Sequence, residues 1–265
     1  MNREEWVSVC GDMVHRLDRD RFMCTALAPV EKRPPLLALL AFNLEIATIP
    51  ELVSEALLGE IRLQWWRDAI DAIFSSQQIE HPVALGLAAA IGKYGLTRSL
   101  FDDYLDARSF DMQQKAPASL IELENYAGSS AGALNELMGE VLQPEMQFET
   151  RAAVRDVGIA WALSGLLFSV PFHAGQGRSY LPDDVEEGEQ IAAVAQSARI
   201  YIKKAREASR FAPAVLLPVM SPVILAGHRL GRLSRYQYDP YAPQLQRPPL
   251  SRLAHFYWKV MRKRY

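Results

Sequence analysis

Two pairs of carboxylates in this chain stand one helical turn apart. Glu51 with Glu55 and Asp102 with Asp106 are i,i+4 pairs, so on a helix each presents two acids on one face. Carboxylates so placed are candidate oxygen ligands for a hard cation such as Mg²⁺. Solvated surface charge is the commoner origin of such pairs. Asp111 is a further candidate acid, although one carboxylate cannot hold a metal cluster. His173, beside Pro171 and Gly175, is expected in a turn as a hydrogen-bonded structural residue. No helix carries the His/Glu/His spacing of a zinc site, and neither a P-loop nor a dinucleotide fingerprint occurs. Residues 157–177 contain no acid at all.

These side chains need elements to hold them. The 265 residues are 49% hydrophobic and 23% charged, enough to bury a large core and incompatible with dominant disorder. Strand-like alternation is hard to find, so the fold class is all-α, with one domain over residues 1–265. Leu52, Ala56, Gly59, Leu63, Trp66, Ile70 and Ile73 recur at spacings of three and four, one apolar stripe on a helix that begins near Glu51. Ser119 and Glu122 form a capping box for a helix running to about Val141. Thr150 suits the N-cap of a helix over 151–169 that Pro171 stops, and residues 191–211 form another. The glycines 128, 132 and 139 read as close helix packing. Residues 157–177 and 211–227 lack formal charge, but prolines break both; buried core helices are expected there in place of membrane spans of about 20 residues.

Two cysteines, Cys10 and Cys24, can organise neither a disulfide framework nor a Cys-based zinc site, a pattern that fits a reducing compartment. Acids at Glu4, Glu5 and Asp12 and the lack of an apolar h-region near the start point to a bacterial cytoplasmic protein. The net charge of -2 conceals opposed blocks: residues 1–198 carry 15 Lys and Arg against 29 Asp and Glu, whereas residues 199–265 carry 14 against 2. The acidic majority and the want of a recognised module argue against nucleic acid as a partner. A basic C-terminal segment, 249–265, sets Phe256 and Trp258 among Arg252, Lys259, Arg262, Lys263 and Arg264. Such a helix suits an anionic membrane surface, at about 1 kcal/mol per basic residue; a solvated tail is the alternative.

Several segments, in order, resemble the squalene/phytoene synthase family. They are Ala28-Pro29-Val30-Glu31-Lys32-Arg33 leading into Leu39-Leu40-Ala41-Phe42, then Arg62-Leu63-Gln64-Trp65-Trp66-Arg67-Asp68, Phe110-Asp111-Met112, Gly177-Arg178-Ser179-Tyr180-Leu181-Pro182 and Tyr238-Asp239-Pro240-Tyr241. The resemblance implies an isoprenoid (terpenoid) synthase-type helical bundle. For an active member it implies Mg²⁺-dependent head-to-head joining of two prenyl diphosphates, with Asp residues four apart on two facing helices. Registered on these segments, Ala47 and Thr48 stand where the first carboxylates belong, and Ser169 and His173 where the second belong. Leu44 and Glu45 replace basic residues that accompany the first motif, and only Glu51 remains acidic there.

No catalytic residue, metal or cofactor is therefore expected, unless Glu51, Glu55, Asp102, Asp106 and Asp111 are recruited in place of the lost ligands, which would make the chain a Mg²⁺-dependent prenyltransferase. Glu51, Glu55, Asp111, Arg178 and Tyr180 are the candidates to line what remains of the cavity. Arg178 and Tyr180 suit an anionic head group, and suit helix capping equally. The cavity is expected either to have collapsed or to persist as a dry slot for an isoprenoid or lipid tail. The departures are similar to those of the branch to which the respiratory complex I assembly factor 6 proteins belong. That likeness implies a non-catalytic protein, cytoplasmic and peripheral to the inner membrane, with complex I subunits as partners.

Overall fold

The computed structural model describes residues 3–53, 55–77, 79–113, 115–209, 212–245 and 251–262, and no strand occurs among them. The helices in chain order are α1 (Arg3–Leu17), α2 (Arg19–Thr25), α3 (Arg33–Ala47), α4 (Ile49–Leu52), α5 (Ala56–Phe74), α6 (Pro82–Tyr94), α7 (Arg98–Arg108), α8 (Leu120–Ala127), α9 (Ala133–Leu142), α10 (Phe148–Phe168), α11 (Val170–Gly175), α12 (Gln190–Ser209), α13 (Leu217–Met220), α14 (Pro222–Arg235) and α15 (Ser251–Met261). A π turn, Gly128–Gly132, joins α8 to α9.

Two apolar helices organise the packing. α3 has no charged residue between Pro34 and Leu44 and is stable only when surrounded; α1, α6, α9 and α2 do so. Its Pro34 and Pro35 fall in the first turn, where backbone N–H groups lack helical partners anyway. α10 is wrapped by α12, α14, α9 and the π turn. Close approach there depends on Gly158, where a Cβ would lie 2.3 Å from the Ala131 carbonyl oxygen and 2.8 Å from Gly132 Cα. The buried acids Glu136 and Glu140 of α9 are met from α10, by Arg155 at 2.7 Å and Arg151 at 2.9 Å respectively.

The capping box forms as the sequence predicts: Ser119 Oγ accepts from the Glu122 N–H at 3.1 Å, and the Glu122 carboxylate accepts from the Ala118 N–H. The helix it opens continues through the π turn into α9. Two expectations are corrected. The stripe from Glu51 is not one helix, because Val53 and Glu55 are extended and α5 starts only at Ala56. Thr150 is not an N-cap; Gln147, extended at φ -62 and ψ 154, takes that place, and Thr150 is buried inside the first turn.

Ala214–Arg235 is long and apolar enough to cross a membrane, with mean hydropathy 1.4 over its most apolar stretch. However, 61% of that stretch is buried inside the bundle, the run turns at Ser221, and α14 packs on α10 and α12. The uncharged C-terminal part of α10, residues 157–168, is likewise core and not a span.

Candidate functional site

α3, α7, α8 and the segment after α11 converge on a closed polar network. Asp111, 4% exposed, follows α7 on a short 3₁₀ turn, one turn beyond Arg108. Its Oδ1 accepts from the Tyr126 and Tyr180 hydroxyls, both at 2.8 Å, and its Oδ2 accepts from Arg108 Nη1 at 3.0 Å. Arg108 also donates to the Tyr126 hydroxyl at 2.9 Å, to the Tyr104 hydroxyl at 3.2 Å and to Asn43 Oδ1 at 3.2 Å; Tyr104 donates to the same Asn43 oxygen at 3.1 Å. The rings of Phe110, Tyr126 and Tyr180 enclose the carboxylate.

Electrostatics hold each of these groups in one state. Burial opposes the Arg108 charge, but Tyr104, Tyr126 and Asp111 outweigh it and keep the guanidinium well above its ordinary pKa. Burial, reinforced by Asp111, keeps the Tyr126 and Tyr180 phenols protonated far above their usual range. One carboxylate, one guanidinium and three phenols thus satisfy one another, and the Asp111 oxygens already accept from three donors. Such a cluster ties four elements together and is costly to disturb.

The positions where facing carboxylates would hold Mg²⁺ do not fit that ion. Ala47 ends α3, and the Thr48 hydroxyl donates to its own helix, at the Leu44 and Glu45 carbonyls. Ser169 caps α10, and its N–H donates to the Gly165 and Leu166 carbonyls. His173 lies on α11 rather than in a turn, and its buried Nδ1 has no hydrogen-bond partner among the described residues. Its ring is held instead by packing on Tyr180, centroids 4.8 Å apart. Burial lowers its pKa, and a neutral imidazole is a poor donor for a hard, oxygen-seeking cation. Among the described residues no three His, Cys, Asp or Glu side chains converge.

The substitute acids are not gathered either. Glu51 and Glu55 are exposed and, with extended backbone between them, share no helix face; this corrects their assignment to the cavity. Asp102 is paired with Arg98 at 3.0 Å and Asp106 with Arg67 at 3.2 Å, both on the outer face of α7. Arg178 donates to the Pro50 carbonyl at 2.8 Å, joining the segment after α11 directly to α4.

Two smaller pockets flank this bridge. Tyr180, Arg178 and His173 line one, of about 140 Å³, with Leu166, Leu167 and Val194. The other, of about 330 Å³, takes its wall from Thr48, Glu45, Arg62, Trp65, Trp66 and His81. Glu45 Oε2 is 3.6 Å from His81 Nε2; burial raises the carboxyl from 4.5 to about 7 and depresses the imidazole. Both shifts favour the neutral pair, a protonated Glu45 beside an uncharged imidazole. Sequence reasoning noted Glu45 only as a departure and missed Arg108, Tyr126, Asn43 and His81. The i,i+3 spacing of Arg108 and Asp111 was the one local signal.

At the basic end, the expected membrane face is partly corrected. Phe256 is fully buried, so it anchors α15 to the bundle. Arg252 is ion-paired with Asp20 at 2.7 Å, and Arg229 meets the same carboxylate at 3.0 Å. Trp258 and Arg262 are exposed, with the guanidinium 4.4 Å from the indole centroid, and Lys259 is partly exposed. Lys263 and Arg264 lie outside the described residues.

The description of the squalene/phytoene synthase family matches residues 14–193. A Bos taurus protein named NADH dehydrogenase (ubiquinone) complex I, assembly factor 6 is 28% identical over 274 residues, covering 97% of this chain and 82% of its own. A phytoene synthase of Arthrospira platensis is 22% identical over 273 residues, covering 90% and 87%. Among solved structures, a ligand-bound dehydrosqualene synthase superposes with a TM-score of 0.81 at 15% identity, covering 98% of this chain and 96% of that one. A squalene synthase from Alicyclobacillus acidocaldarius gives 0.77 at 16%, covering 89% and 96%. The fold is thus the isoprenoid synthase-type helical bundle.

Proposed function

Because the chain belongs to the squalene/phytoene synthase family, we propose that it is a member without the metal-dependent chemistry, serving in the assembly of a respiratory NADH:quinone oxidoreductase. One observation carries the reading: Ala47, Thr48, Ser169 and His173, which stand where the resemblance places the metal-binding carboxylates, offer no acid, and Arg178 donates to the Pro50 carbonyl, joining α4 to the segment after α11. Ionising an allylic diphosphate needs several well-placed oxygens around Mg²⁺ at once. Asp111 cannot substitute, since its oxygens are taken by Arg108, Tyr126 and Tyr180. The likeness to proteins named complex I assembly factor 6 over 97% of the chain supports the client class.

On this reading no cofactor is required. The partners are subunits of the oxidoreductase, an isoprenoid or lipid tail is a possible occupant of the small pockets, and the protein works on the cytoplasmic side of the inner membrane as a peripheral protein. The test is deletion of the gene followed by assay of NADH:quinone activity in isolated membranes, normalised to succinate:quinone activity. A selective fall, restored by the wild-type gene and by His173→Ala, is the expected result; an unchanged rate with normally assembled complex overturns the proposal.

A further inference from the structure

An open groove of about 860 Å³ runs along α12 and α14 beside α15. Cations line it from all three helices: Arg199, Lys203 and Arg206 on α12, Arg232 and Arg235 on α14, and Lys259 on α15. The one carboxylate on its wall among the described residues, Glu207, lies 3.9 Å from Lys203, and both are exposed. Arg199 and Arg232 donate to the Leu230 and Gln244 carbonyls, bonds that orient the two side chains. Among the described residues, no carboxylate stands within ion-pair distance of Arg206, Arg235 or Lys259. The C-terminal ends of α12 and α14 offset only about half an elementary charge each, far below the charge gathered there.

Arg206 stands on the groove wall beside Ile202, exposed to solvent, and no carboxylate among the described residues pairs with it. His228 is depressed by burial and then by Arg232, His255, Arg252 and Arg235, every one a base. Opposite Arg206, Gly227 leaves the wall open: a Cβ there would lie 3.5 Å from Arg206 Nη2 and 3.9 Å from Ile202 Cδ1, so a side chain fits without a clash but fills the groove. Cations gathered along one groove without facing carboxylates attract an anion, and the planar guanidinium donors match phosphate oxygens.

We propose that this groove binds a phosphate group carried by an amphiphile, with Arg206, Arg235 and Lys259 contacting the phosphate oxygens and Ile202 and Ile224 bordering the first methylenes. Membrane phospholipid and soluble diphosphate share this chemistry, and the test separates them. Full-length protein is titrated with phosphatidylcholine vesicles containing phosphatidylglycerol, and separately with inorganic pyrophosphate. Arg206→Gln/Arg235→Gln lowers affinity by about tenfold or more without lowering Tm, because both side chains are exposed and their removal relieves repulsion between like charges. Gly227→Leu keeps every charge and blocks the groove, so it distinguishes a site from diffuse attraction to an anionic surface. Vesicle binding lost in Gly227→Leu assigns the lipid; pyrophosphate binding alone assigns a soluble ester; vesicle binding displaced by pyrophosphate assigns one site for both. Vesicle binding that Gly227→Leu leaves intact, or no binding of either probe, overturns the proposal.

Discussion

Replacing Asp111 by Asn preserves shape while removing the carboxylate on which the Arg108, Tyr126 and Tyr180 bonds converge. Arg108, with 13% of its side chain exposed against 2% for Asp111, is then a buried guanidinium without a counter-charge. The new amide points N–H donors at a site where Arg108, Tyr126 and Tyr180 already donate. Removing one partner of a buried pair costs about 3–5 kcal/mol. With an unfolding entropy of about 2.1 cal/mol/K per residue over 265 residues, Tm should fall by roughly 5–9 °C. Differential scanning calorimetry of wild type, Asp111→Asn, Arg108→Met and the double variant measures both the loss and the coupling. The double variant is expected to recover at least about 2 kcal/mol relative to the sum of the singles. Additive losses, or a fall below about 2 °C for Asp111→Asn, would refute the reading of this network as a coupled cluster that stabilises the bundle.

Three further outcomes follow. The folded state holds the Glu45 proton more tightly than the unfolded chain, so stability conferred by its protonation is present below pH 4.5 and is lost as pH rises through about 7. That displacement is worth up to about 3 kcal/mol. His81 has a depressed pKa and works in the opposite sense, so the quantity to measure is the difference in denaturation free energy between wild type and Glu45→Gln; it should favour the variant increasingly from pH 4.5 to 8, and a pH-independent difference would contradict the assignment. Gly158→Ala drives a methyl into the Ala131–Gly132 backbone and should cost about 1–3 kcal/mol or more, read as a lower Tm; an unchanged Tm would mean α10 does not touch the π turn. Asp20→Asn leaves Arg229 and Arg252 unpaired, and should both lower Tm and speed tryptic cleavage within α15; an unaltered cleavage rate would show that Phe256 alone secures that helix.

The helices were legible because apolar spacing of three and four survives into packing, and the middle of α3 and the C-terminal part of α10 announce their burial by lacking charge. The break between α4 and α5 was not, since Leu52 and Ala56 keep the apolar spacing although Val53 and Glu55 are extended. Thr150 obeys a sound capping preference, but α10 starts three residues earlier on Gln147. The want of acids over residues 157–177 is readable directly. The polar network is not: Asn43, Arg108, Tyr126 and Tyr180 come from four elements and meet only once those helices pack. The pairing of Glu45 with His81 likewise needs α3 and the start of α6 side by side. At the basic end, an aromatic residue among cations reads the same whether it faces lipid or the core, and only the fold separates buried Phe256 from exposed Trp258.

The central claim is that this bundle keeps the fold of a prenyl diphosphate-condensing enzyme without its metal-dependent ionisation. Purified full-length protein incubated with farnesyl or geranylgeranyl diphosphate and Mg²⁺, followed by pyrophosphate release and extraction of products, tests it most directly. The account expects no pyrophosphate above the protein-free control and no C30 or C40 hydrocarbon; sustained release accompanied by either product would contradict it.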